Sequence, residues 1–117
     1  NIVFQNDYFA AIRPSYARFP YEFWIIPKEH VGNWKDFDEA TMDEFAEALQ
    51  TAAACATRVH PDYNFIYHNA PPGGKLHMHV EVIPRTSTWA GCEIGGGIII
   101  NSREASQAVV ELQGKKE

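Results

Sequence analysis

The stretch Leu76-His77-Met78-His79-Val80-Glu81-Val82-Ile83 decides the fold. Its even positions are all apolar, and its odd positions through 81 are His, His and Glu. A strand has a period of two, so the apolar set faces a core and the three polar side chains stand in a row on the opposite face. One face is thereby reserved for chemistry. A solvated strand face ordinarily carries Thr, Lys, Ser or Glu, and two His at i and i+2 beside a carboxylate are not what burial or propensity selects. A satisfied surface His pair is the plainer alternative.

Just upstream, Asn69-Ala70-Pro71-Pro72-Gly73-Gly74-Lys75 demands a loop, and Tyr63–His68 reads as the strand before it, so the two strands form a hairpin. Closing that loop brings His68 beside His77, on the same face where the strands pair directly. Three imidazoles then converge. Neutral imidazoles suit zinc or ferrous iron, and His68, His77 and His79 with Glu81 or an outside ligand complete a tetrahedral or larger shell around one ion. The competing reading makes His79 a nucleophile on phosphorus. Glu81 weighs against it. An ionised carboxylate repels a phosphate by about 4 kcal/mol at roughly 4 Å and an effective dielectric of about 20, unless a metal or proton neutralises it.

Further out, Ile2–Gln5 and residues 8–12 are short apolar runs separated by the turn dipeptide Asn6-Asp7, a second hairpin signal. Residues 21–26 form an aromatic and β-branched strand closed by Pro27. Thr41-Met42-Asp43-Glu44 is a capping box and predicts that a helix begins there. Phe45, Leu49, Ala53, Ala56 and Val59 give that helix one apolar face, and Pro61 stops it just after Arg58 and His60. The helix dipole sufficiently explains His60. Beyond Pro84, a glycine triplet at 95–97 leads to Ile98-Ile99-Ile100 as a buried strand. Ser102 then caps a helix over 103–113 whose stripe is Ala105, Val109 and Leu112. The triplet precedes a strand and lacks a G-K-[ST] ending, so it is not a phosphate loop. The sum is α+β: an antiparallel sheet of about five strands, one long central helix and a C-terminal helix.

The 117 residues, 45% of them hydrophobic and 13% aromatic, suffice for one core, so residues 1–117 read as a single domain. A formal charge of -5 with the basic residues scattered argues against nucleic acid as a partner. No apolar run approaches the roughly 20 residues that span a bilayer, and the first seven residues do not form a secretory signal, which points away from membranes and toward the cytoplasm. The chain opens on Asn1 and enters a strand at once, which implies residues upstream. Cys55 and Cys92 match no C-x-x-C spacing, and Cys55, in an alanine-rich run, reads as a small buried hydrophobe.

Tyr21-Glu22-Phe23-Trp24-Ile25-Ile26-Pro27-Lys28-Glu29-His30, then a capped helix, then H-M-H-V-E-V, resembles the histidine-triad superfamily over nearly the whole chain. "P-Y-E" from Pro20, "H-N-A-P" from His68 and "A-G-C-E" from Ala90 look more specifically like the second half of galactose-1-phosphate uridylyltransferases. That resemblance implies a fold duplicated in the full enzyme, with an H-P-H-[GA]-Q nucleophile motif in the N-terminal half. This chain has no such motif. His79 stands at the nucleophile's position, but Val80-Glu81 replaces the Gly-Gln ending. Some members bind iron or zinc in the second half through three histidines, whose positions His68, His77 and His79 match, with a fourth ligand from the N-terminal half.

The resemblance also implies that Ala90, Gly91, Cys92 and Glu93 contact sugar in a neighbouring subunit's site, with Cys92 standing where an aromatic is common. Glu93 can accept from two sugar hydroxyls. Arg85, after Pro84 at the end of the His strand, is the better phosphate candidate. Lys28 and His30 read as structural, and Trp24 and Trp34 as packing residues, with Trp89 the one plausible platform for a sugar or base.

Three functions follow as expectations. The first is a C-terminal half of a hexose-1-phosphate nucleotidylyltransferase of galactose metabolism, binding a nucleotide sugar or hexose 1-phosphate beside an N-terminal half or second subunit. The second is a free-standing nucleotide hydrolase with His79 as nucleophile. The third is a non-catalytic nucleotide-binding or dimerisation module.

Overall fold

The computed structural model describes residues 1–70, 78–86, 95–97 and 101–115. In chain order the elements are β1 (Ile2–Gln5), β2 (Phe9–Ile12), β3 (Phe23–Pro27), α1 (Glu39–Thr57), β4 (Tyr63–His68), β5 (His79–Pro84) and α2 (Ala105–Leu112), with a 3-10 turn at Trp34–Asp36. The five strands make one antiparallel sheet in the order β1-β2-β3-β5-β4. The expected α+β architecture of five strands, a long central helix and a C-terminal helix is what forms. Ile98-Ile99-Ile100 lies outside the described residues.

The β1–β2 turn rests on Asn6, whose Oδ1 accepts from the amides of Tyr8 and Phe9, an Asx arrangement that closes the hairpin. Tyr8 is consumed by this turn, so β2 begins at Phe9. The crossover from β3 to β4 carries α1 over one face of the sheet. There Phe9, Ala11, Phe23, Ile25, Met78, Val80 and Val82 meet Phe45, Ala48, Ala52, Cys55 and Ala56. The even positions of β5 point into this core as their alternation predicts, and Cys55 is buried.

The buried side of α1 is turned from the expected face. Phe45 and Ala56 are buried in it as expected and Leu49 and Val59 pack half-buried against the same core, but Ala48, Ala52 and Cys55 rather than Ala53 fill its centre. Small residues at these positions let the helix approach the sheet closely.

The helix also starts earlier than the Thr41 capping box predicts. Asp38 is the N-cap and accepts from the Thr41 amide at 2.8 Å, which places Thr41 inside the first turn. Asp caps as well as Thr does, and the Glu39 carboxylate favours the positive helix end. Hydrogen bonds from Thr41 hold the Asp38 carboxyl below the usual range. A folded-state value below the unfolded one means that the cap's stabilisation is complete above the ordinary Asp pKa and is lost as pH falls through the lowered value. Asp38→Ala should lower Tm by a few degrees at neutral pH. Asp38→Asn should keep much of the cap while flattening the Tm profile between roughly pH 5 and 2. A melting series over that range checks both.

α1 ends at Thr57, ahead of Pro61, and Arg58 swings across to donate to the Leu112 carbonyl at 2.9 Å. The C-terminal helix is shorter than residues 103–113: Glu104 rather than Ser102 precedes its first turn, and Arg103, ahead of it, donates from Nε to the Tyr21 hydroxyl. Its buried stripe is Ala108, Val109 and Leu112, one turn on from Ala105. Gly114 ends it at φ +75°, a conformation that favours glycine, and an added Cβ there would also meet the Arg58 side chain at 3.1 Å.

Candidate metal centre on the open face of the sheet

β3, β5 and β4 run side by side, and their registers align one row of side chains on the face away from α1. Trp24 and Ile66 flank Glu81 from the two neighbouring strands, and His68 lies directly across from His79. His79 and Glu81 share this face because they are two apart on β5.

Glu81 is the centre. Its side chain is only 9% exposed, with His68 Nε2 3.1 Å from Oε2, His79 Nε2 3.6 Å from Oε1 and an Arg18 guanidinium nitrogen 3.8 Å from Oε2. One donor nitrogen from each imidazole and a carboxylate oxygen lie within 4.8 Å of one another. The rings form a column: His68 stacks on His79 at 4.6 Å and 7°, Trp24 stacks on the other side of His79 at 4.6 Å and 25°, and Tyr16 meets Trp24 edge-on at 5.9 Å.

Two neutral imidazoles and a carboxylate fit zinc or ferrous iron in donor type and reach. A metal lies in the plane of each imidazole that binds it. The nearly parallel His68 and His79 rings therefore need one ring to turn before both lone pairs aim at one ion. His68 is the freer of the two, with a side chain 45% exposed against 23% for His79. His68 lies within hydrogen-bond distance of Glu81, and the Arg18 guanidinium faces the same carboxylate oxygen.

The register corrects one expectation. His68, expected opposite His77, has His79 as its partner in the ladder, because the β4–β5 register runs from Tyr63 opposite Pro84 to His68 opposite His79. His77, Trp89, Ala90, Gly91, Cys92 and Glu93 lie outside the described residues. Arg85 is exposed and stands at the rim of a groove of about 650 Å³ floored by Ile66 and Ile83, with Asn64, His60 and Phe19 around it. The cation that reaches the cluster is Arg18, which the sequence pattern does not single out. Trp24, read as packing, belongs to the site. The available signal was its place in β3, outward between the inward Phe23 and Ile25. Trp34, also read as packing, is exposed beside an apolar hollow formed with Met42, Leu49 and Tyr67.

A model of the HIT domain family matches residues 1–88. The galactose-1-phosphate uridylyltransferase of Thermotoga maritima is 30% identical over 125 aligned residues, covering 95% of this chain and 39% of that protein. The crystal structure of an ADP-glucose phosphorylase from Arabidopsis thaliana with bound ADP-glucose superposes with a TM-score of 0.86 at 23% identity, covering 99% of this chain and 40% of that one. A zinc-bound histidine triad family protein from Mycobacterium smegmatis superposes with a TM-score of 0.71 at 17% identity, covering 97% of this chain and 81% of that one. At these identities the two structures establish the fold. The chain spans less than half the length of the curated uridylyltransferase and phosphorylase it matches.

Proposed function

Because the chain belongs to the HIT domain family, we propose that it is the C-terminal half of a hexose-1-phosphate nucleotidylyltransferase, holding one zinc or iron ion through His68, His79 and Glu81. The observation that carries this reading is Glu81. A carboxylate at this position, buried against both imidazoles, is suited to a cation and opposed to a phosphate. His77 and a ligand from a second half complete the shell. Held there, an ion would neutralise Glu81, and His68 and His79 would join β4 to β5 through it. The chain's own residues supply the frame: Trp24 and His68 enclose His79, and Arg18 closes the cluster at its outer side.

The nucleophile then lies in the N-terminal half. Ala90, Gly91, Cys92 and Glu93 supply contacts to the sugar, and Arg85 meets the phosphate of a nucleotide sugar or hexose 1-phosphate at the mouth of its groove. β4, an edge strand among the described residues with Ile66 and Tyr67 exposed, is where the N-terminal half or second subunit attaches.

Metal analysis and zinc titration test the centre: about one ion per chain is expected in the wild type, and a wild type that binds none removes the support for it. The purified chain should not turn over adenosine phosphoramidate. Turnover abolished by His79→Ala would instead make it a hydrolase with His79 as nucleophile. An H-P-H-[GA]-Q motif encoded upstream is expected, and an initiator Met directly before Asn1 would sink the two-half reading.

A further inference from the structure

Glu22 is fully buried, 1% exposed, and sits outside the donor set. A buried carboxylate needs partners for both oxygens. Oε2 accepts from the Trp24 indole Nε1 at 2.7 Å. Oε1 accepts from the backbone amides of Arg18 and Phe19 at 3.2 and 3.3 Å. Each oxygen leads to a different side of the metal centre. Through the indole, Glu22 fixes the ring that stacks on His79. Through the two amides, it fixes the turn from which Arg18 reaches Glu81.

We propose that Glu22 is a positioning residue for the centre, one carboxylate that holds Trp24 against His79 with one oxygen and the Arg18 turn with the other. An indole free to rotate about its side-chain torsions would leave His79 walled only by the half-exposed His68. Tethered at Nε1, it makes one orientation of the His79 ring the favoured one before any ion arrives. Such preorganisation shows as affinity, because the ring's rotational freedom is lost on folding rather than on binding.

Glu22→Gln tests this with little change of volume. The glutamine oxygen can still accept from the two amides, but its NH2 then opposes the indole N–H, donor against donor. In proton NMR of the wild type, the His79 ring signals should be shifted upfield by the indole, and the Trp24 N–H should resonate downfield. Glu22→Gln should move both back and weaken zinc about ten- to a hundredfold by calorimetry. Trp24→Leu removes ring and tether together. It should weaken zinc to a similar degree, and adding Glu22→Gln to it should cost little more, since the two act through one contact.

A folded Glu22→Gln with unchanged His79 shifts and zinc affinity overturns the proposal. If that variant does not fold, a Trp24→Leu protein with wild-type zinc affinity overturns it instead. This inference rests on the metal reading only for its affinity arm. A wild type that binds no zinc would sink the metal centre alone, and the His79 shifts would still decide the role of Glu22.

Discussion

Arg13→Met is expected to lower the free energy of unfolding by about 3 kcal/mol or more, a large share of an ordinary domain's stability. Arg13 is 2% exposed and lies under the segment that carries Arg18 and Glu22. One guanidinium nitrogen donates to the Phe19 carbonyl at 3.0 Å and also to the Glu22 carbonyl. Burial pushes the Arg13 pKa down, and the Glu22 charge pushes part of that back. Methionine fills the volume but leaves two carbonyls without their donor and the Glu22 carboxylate buried without a compensating charge. Arg13→Lys keeps the charge and one donor, and should therefore be more stable than Arg13→Met. Urea titration reads each value, with an unchanged m showing that the same surface is exposed on unfolding. A loss below about 1 kcal/mol for Arg13→Met would mean that the Arg13 side chain contributes little to holding residues 13–22.

The parts of this fold that local pattern controls were legible. Alternation in β5 predicted the inward Met78, Val80 and Val82, the Asn6-Asp7 dipeptide predicted the first hairpin, and Tyr63–His68 is a strand over its whole predicted length. Helix ends were less so: Asp38 caps α1 three residues ahead of Thr41, and α2 starts after Glu104, whose side chain makes no cap, rather than after Ser102. The cluster was legible in composition and not in register. Which imidazole faces His68 depends on how the β4–β5 ladder aligns from its far end, where Tyr63 meets Pro84, and the intervening loop carries no such information. The roles of Arg18 and Glu22, and of Trp24 beyond its outward place in β3, were invisible for a related reason. Their roles come from strand order, which brings β3 between β2 and β5, and from an irregular segment whose course no periodicity describes.

His79→Ala is expected to weaken zinc by at least about a hundredfold and to erase the ion's effect on stability. At a free zinc concentration about a hundred times Kd, binding to the folded state alone adds about 2.7 kcal/mol, which raises Tm by roughly 10 °C for a domain of this size. The variant, titrated at the same concentration, should show almost none of that rise. His68→Ala should lose less, since His68 is half exposed and must turn toward the ion, whereas His79 is already held between Trp24 and His68. His60→Ala serves as the control for loose binding to any surface imidazole: His60 lies apart from the cluster, with Nδ1 accepting from the Asp62 amide at 3.0 Å. If all three variants lose the zinc-dependent shift alike, the ion is held by scattered histidines and the centre is not built. If His79 dominates, the order of losses follows the order of burial, as a site with His79 held in place and His68 turning in requires, and Glu81 is the charge that the ion completes.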